Sequence, residues 1–177
     1  MPCKNAAPNK VRDQENMKLS LKQEFATTPE DMIVRYASRE FFEKKYAALG
    51  AQNIQVLDMQ HTADQFSIQV RFDIKSDAPM PDMAKKLIGE TSTVTQRDSW
   101  NLKAKTGRID CEIKGLPGKV SAEMKLLAGG KGVINQLDWE IKCSIPLIGG
   151  KIEGMVAEDI KAKSARDAVV TAQVLGL

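Results

Sequence analysis

From Val133 to Ile145 the chain alternates: Val133, Leu137, Trp139, Ile141, Cys143 and Ile145 recur at period two, opposite Asp138, Glu140 and Lys142. The pattern predicts a strand with one buried face, and Asn135 falls on that face. Pro146-Leu147-Ile148-Gly149-Gly150 then interrupts it. From Lys151 to Leu175 the apolar spacing changes to three and four: Ile152, Met155, Val156, Ile160, Ala165, Ala168, Val169 and Ala172. That spacing predicts an amphipathic helix of about six turns. So long a helix needs a large apolar partner, and the preceding strands supply one.

The rest of the chain reads in order. Lys18–Phe25 alternates as a first strand, with Leu19, Leu21 and Phe25 as apolar anchors. Thr28-Pro29-Glu30-Asp31 is a helix start: a hydroxyl cap, proline at the first helical position, and acids near the positive end of the helix dipole. Ser38 caps a second helix, where Phe42, Tyr46 and Leu49 share a face and Gly50 ends it. From Gln52 onward period two dominates. Gln52–His61, a turn at Thr62-Ala63-Asp64, and a strand from Phe66 to Ile74 make a hairpin, with Phe66, Ile68, Val70, Phe72 and Ile74 on one side. Two prolines make Ser76–Met83 a loop, and Asp82–Gly89 a short helix over the mouth of any cavity. Strands follow at Thr91–Leu102, Arg108–Lys114 and Lys119–Leu127. Leu116-Pro117-Gly118 reads as a type II turn, and Ala128–Gly132 as a hairpin loop, since this glycine run opens no helix and lacks phosphate-loop spacing.

The count is one strand, two short helices, six strands and one long helix. Without β-α-β alternation a doubly wound sheet is excluded, which leaves an α+β class with seven antiparallel strands curved around the last helix. Length agrees, because 177 residues suit one domain. Residues 1–16 are polar and without periodicity, so the expected division is a flexible extension over 1–16 and a domain over 17–177, with Met17 as a candidate start. They hold no apolar run of the kind a secretory signal needs.

Charge changes the picture little. The net charge of +3 does not imply a nucleic-acid partner. Lys103, Lys105, Arg108, Lys114, Lys119, Lys125 and Lys131 cluster against Asp110, Glu112 and Glu123, but no aromatic residue is interleaved to stack on bases. A solvated sheet face is the expectation. No apolar run is long enough to span a membrane. Cys3, Cys111 and Cys143 have neither metal-ligand spacing nor an even count. Cys111 and Cys143 fall on strands two positions apart, about 9.6 Å, too far for a disulfide. Buried free thiols in a reducing cytoplasm are expected, with no metal and no cofactor.

The order of elements resembles the helix-grip fold of the START-like and polyketide-cyclase superfamily, which includes the birch-pollen allergen family. The closest resemblance is to a bacterial family of unknown function within it. TTPEDM at the first helix, YAALGAQNIQVL at the second, the APMP loop, Trp100, and IPLIGGKIEGMVAEDI at the last strand-helix junction carry the likeness. The resemblance implies a cavity between sheet and final helix, of the kind used for sterols, lipids, hormones or polyketides. It implies no catalytic residue set.

Within that frame the strand around Trp100 stands out. Val94, Gln96, Asp98, Trp100 and Leu102 share a face, so an inward Trp100 brings Gln96 and Asp98 with it. A buried carboxylate is costly unless paired, hydrogen-bonded or wet. Asp98 is therefore the candidate for orienting a ligand or for acid-base work with a raised pKa, the alternative being a place at the solvated rim. His61 lacks a nucleophile and reads as an exposed turn residue. Ala162, Ala165, Ala168 and Ala172 replace the leucines expected under a sealing helix, through close packing or through a cavity. The expected lining is Ile68, Val70, Phe72, Gln96, Asp98, Trp100, Met124, Asn135, Trp139, Val156 and Ile160. The function expected is binding of a hydrophobic small molecule or lipid without catalysis. A cyclase- or dehydratase-like enzyme using Asp98, and a protein-interaction module with a filled interior, are the alternatives.

Overall fold

A computed structural model describes residues 16–76 and 82–177. The elements run β1 (Met17–Phe25), α1 (Pro29–Tyr36), α2 (Arg39–Ala48), β2 (Gln52–His61), β3 (Gln65–Lys75), α3 (Asp82–Ile88), β4 (Thr91–Asn101), β5 (Thr106–Ile113), β6 (Gly118–Gly129), β7 (Gly132–Cys143) and α4 (Gly149–Leu175). The seven strands form one antiparallel sheet in the order β1-β7-β6-β5-β4-β3-β2. Alternation decides which face is buried: Phe66, Ile68, Val70 and Phe72 of β3, and Val133, Asn135, Leu137 and Ile141 of β7, all point to the interior.

The caps form as read. Thr28 Oγ1 accepts from Asp31 N at 3.1 Å, Ser38 Oγ accepts from Phe41 N at 3.2 Å, and Gly50 follows α2 with φ +85°. The second turn expectation needs correcting. Gly118 does not take a positive φ; Gly115 does, at +85°. What holds Gly118 is proximity, since a Cβ there would stand 2.0 Å from the Lys142 carbonyl oxygen. The short helix α3 forms, yet none of its described residues lines the cavity; its end lies by the β5–β6 turn, where a Cβ on Gly115 would meet the Leu87 carbonyl oxygen at 2.3 Å. The 1–16 extension, apart from Asn16, lies outside the described residues, as do residues 77–81 of the proline-bearing loop. Asn16 Nδ2 donates to Glu140 Oε1 at 2.6 Å.

α4 has 27 residues, about seven and a half turns. It packs chiefly across β1 and β7 and touches α2. Its start is fixed by the β7 junction: buried Glu153 accepts from Cys143 N at 2.8 Å, and Gly149 lies so close to the strand end that a Cβ would sit 2.6 Å from the Cys143 carbonyl oxygen. At the other end Arg35 Nη1 donates to the Leu175 carbonyl at 2.6 Å. The buried core is correspondingly in two parts. One joins α1 and α2 to the sheet around Met32, Phe42, Phe66 and Ile68. The other joins the first turns of α4 to β6 and β7 around Val120, Ile141, Ile152 and Val156.

Two glycines test this account. Gly118→Ala should cost about 1–3 kcal/mol, because the β7 backbone would have to move. Gly154→Ala, on α4 with open space around it, should gain about 0.5–1 kcal/mol. Urea denaturation measures both, and a neutral Gly118→Ala would contradict the packing described.

Candidate functional site

A cavity of about 230 Å³ is lined by residues from both parts of the core, between the sheet, α2 and α4. α2 contributes Phe41, Phe42, Tyr46 and Leu49, and the sheet contributes Phe72, Val94, Trp100, Ile109, Val120, Met124, Leu137 and Trp139. α4 closes it with Val156 and Ile160. The aromatic wall is continuous: between ring centroids Trp100 lies 5.6 Å from Tyr36, Tyr36 5.1 Å from Phe41, Phe41 5.1 Å from Phe42, Phe42 6.3 Å from Tyr46, and Tyr46 4.2 Å from Phe72. Trp100 fits only because its strand partner is Gly107, where a Cβ would stand 2.6 Å from the indole ring.

Into this apolar box project a few polar groups. Asp98 is 5% exposed. Gln96 Nε2 donates to Asp98 Oδ2 at 2.8 Å, and the Cys111 thiol donates to Gln96 Oε1 at 3.6 Å. Burial raises the Asp98 carboxyl from its ordinary 3.8 to about 6, while the Gln96 hydrogen bond and Lys45 pull it down and the Asp167 charge adds to the rise. Burial likewise drives the Cys111 thiol up, with the negative charge of Asp98 adding to it, so the thiol keeps its proton. The Tyr36 and Tyr46 hydroxyls are also held well above the usual range, first by burial. A second group joins helices to sheet. Lys45 Nζ of α2 is 2.9 Å from Asp167 Oδ1 of α4, Gln23 Nε2 donates to Asp167 Oδ2 at 3.0 Å, and Asn135 Nδ2 donates to Gln23 Oε1 at 3.5 Å. Asn135 Oδ1 and Trp139 Nε1 are buried without a protein partner, one an acceptor and the other a donor.

The expected lining residues divide. Phe72, Gln96, Asp98, Trp100, Met124, Asn135, Trp139, Val156 and Ile160 all lie on the cavity wall. Ile68 and Val70 do not; they are 0% and 1% exposed, closed inside the core with α1 and α2. Ala162 and Ala165 are exposed, and the α4 face over the cavity carries Asp159, Ile160, Lys163, Ser164 and Asp167 instead. The three-and-four spacing had two registers in this half of the helix, and Val169, 57% exposed, belongs to the outer one. Lys45, Asp167 and Gln23 escaped the sequence reading because a lone polar residue carries no periodic signal. Tyr36 and Phe41 had one, as inward positions of helices already recognised. His61 is exposed, edge-on to Phe66 at 5.4 Å, and is not part of the wall.

Among the described residues no group of three or more His, Cys, Asp or Glu side chains is placed to hold a metal, and no helix is long and apolar enough to cross a membrane. The basic cluster of β5, β6 and the turn before β5 is partly paired: Arg108 with Asp110 and Glu123, Lys103 with Asp64, Lys105 with Glu30.

A curved antiparallel sheet around a long C-terminal helix, with two short helices inserted after the first strand, is the helix-grip fold of the START-like and polyketide-cyclase superfamily. The protein TTHA0849 from Thermus thermophilus superposes with a TM-score of 0.64 at 12% identity, over 90% of this chain and 97% of its own. A START superfamily protein from Mycobacterium smegmatis gives 0.55 at 10% identity, over 90% and 98%. The Zhui aromatase/cyclase from Streptomyces sp. R1128 gives 0.52 at 13% identity, over 92% of each chain. The chain belongs to the DUF2505 family, a family of proteins of unknown function whose profile matches residues 20–175. No curated protein matches it in sequence.

The buried carboxyl makes stability depend on pH in a direction opposite to that of a salt-bridged acid. Because Asp98 holds its proton more tightly folded than unfolded, it costs nothing below its ordinary 3.8 and an increasing amount as pH rises through about 6. A displacement of that size corresponds to about 3 kcal/mol above pH 7. Asp98→Asn should therefore match the wild type in urea stability near pH 4 and exceed it near pH 8. A difference independent of pH would show that the carboxyl is not buried.

Proposed function

We propose that this protein binds a small, mainly apolar molecule in the cavity between sheet and α4. The observation that carries this is an aromatic and aliphatic box of about 230 Å³ into which a few fixed polar groups converge. A space of that size weighs against an interior filled by its own side chains. Asn135 Oδ1 and Trp139 Nε1, buried and unmatched, supply an acceptor and a donor for a ligand to meet. Binding of this kind needs no chemistry from the protein. Native mass spectrometry of the full chain from its own host should find a non-covalent adduct that denaturation releases. The purified protein should also enhance the fluorescence of the neutral probe N-phenylnaphthylamine. Failure of both would reject the reading. Trp139→Ala should abolish probe binding yet cost less than the 3–5 kcal/mol expected for an indole in a closed core, because one side of this ring already faces the cavity.

A second reading, enzymatic rearrangement or dehydration of a bound substrate, is favoured by one feature. Asp98 is a buried acid held near neutrality on the cavity wall, where such a group can give and take protons. On the molecule recovered from the host, Asp98→Asn should then remove about a hundredfold of turnover while N-phenylnaphthylamine still binds. If no product forms from that molecule, the enzymatic reading fails and the binding one stands.

A further inference from the structure

The charges at the polar end of the cavity do not cancel. Asp98 from β4, Asp167 from α4 and Lys45 from α2 meet there, and Lys45 is already paired with Asp167 at 2.9 Å. Asp98 receives the neutral Gln96 amide, and among the described residues no ion pair reaches it. The remaining charged groups on the wall bring no surplus cation inward. Lys163 pairs with Asp159 at 2.6 Å, and Arg166 is exposed beside the end of α2. Tyr36, Tyr46 and Cys111, which face Asp98 from α1, α2 and β5, are neutral.

Hydrogen-bond direction sharpens this excess. The Asp167 carboxylate can only accept, so Gln23 must turn its NH₂ toward it. The Gln23 oxygen then takes the Asn135 NH₂, and Asn135 Oδ1, on a side chain 3% exposed and on the cavity wall, is left without a donor. On the other side the Cys111 thiol gives its proton to Gln96 Oε1, which turns the Gln96 NH₂ toward Asp98. Both chains thus end on acceptors. Tyr36, Tyr46, Phe72 and Trp100 set aromatic faces around them.

We propose that this end of the cavity takes the ammonium group of an amphipathic amine, which donates to the Asp98 carboxylate and to Asn135 Oδ1 while its apolar body lies among the aromatic rings. An ammonium has three donors and no acceptor, the complement of the two acceptors Asp98 and Asn135 Oδ1, and aromatic faces attract a cation once water is excluded. A carboxylate ligand would meet Asp98 as a like charge, and an alcohol would leave it unneutralised. The inference rests on the reading of the cavity as a binding site and adds the chemical class of its ligand.

The test compares three probes on one skeleton, phenylbutylamine, phenylbutanol and phenylbutyrate, titrated into the full chain at neutral pH. Trp100 and Trp139 line the cavity and report binding by fluorescence. The amine should bind at least tenfold more tightly than the alcohol, and the carboxylate most weakly. Asp98→Asn should remove that tenfold advantage of the amine over the alcohol. Lys45→Met, which strips the competing cation, should strengthen amine binding. Equal affinity for amine and alcohol would overturn the inference and leave the cavity reading intact, as would tighter binding of the carboxylate. Binding of none of the three would overturn the inference, and the cavity reading falls with it only if the native adduct and N-phenylnaphthylamine binding fail as well.

Discussion

The short link between β7 and α4 is the constraint on which the interior depends. Glu153, one turn into the helix, reaches back to the Cys143 amide, and Gly149 lets the helix begin in contact with the strand it leaves. The start of α4 is fixed there, and its end is tied through Arg35 to the Leu175 carbonyl. Its first turns bury Ile152, Val156 and Ala157. Further along, a buried Thr171 and Val170 pack again. Between these two anchored stretches the helix offers Asp159, Lys163, Ser164 and Asp167 to the space beneath it. Residues of that kind do not fill a void as leucine would, so the cavity is a consequence of where the helix is pinned and which side chains follow.

The same geometry makes the cavity's polarity ordered rather than diffuse. α2 crosses toward α4 and brings Lys45 to Asp167, and β1 brings Gln23 to the same carboxylate. On the opposite wall the pairing of Gln96 with Cys111 across β4 and β5 holds the amide that supports Asp98. Each neutral amide is locked by what its neighbour can donate or accept. A buried carboxylate supported by one amide costs stability at neutral pH. A ligand that supplied the missing donors would recover part of that cost on binding, which links this buried carboxylate to the site.

Much of this was legible in the chain. Period two assigned the buried faces of β3, β4 and β7, the caps at Thr28 and Ser38 placed α1 and α2, and the parity of Asp98 with Trp100 put a carboxyl group on the inward face, at the interior or its rim. These features are local: a strand side or a helix start depends on residues within a few positions of one another. Two readings failed where locality fails. Gly118 is kept small by the Lys142 carbonyl on a neighbouring strand, which no turn pattern reveals. Ile68 and Val70 were indistinguishable from Phe72 along their strand, and only the position of the helices over them closes the first two off.

By itself, then, the sequence determined the α+β class, the order of the elements and the facing of the strands, the long final helix, and an acid on the inward-facing side of β4, because alternation, capping and turn chemistry act over short stretches. The structure decided that this acid is buried rather than at the rim. Tertiary structure decided which of the two registers of α4 faces the sheet, turning Ala162 and Ala165 outward and Asp167 inward. It also decided that Lys45, Asp167, Gln23 and Asn135, drawn from four elements, share one corner, and that among the described residues no ion pair reaches Asp98. The reason is physical: burial and charge pairing are properties of the space between elements, and that space exists only once α4 has been anchored across the sheet.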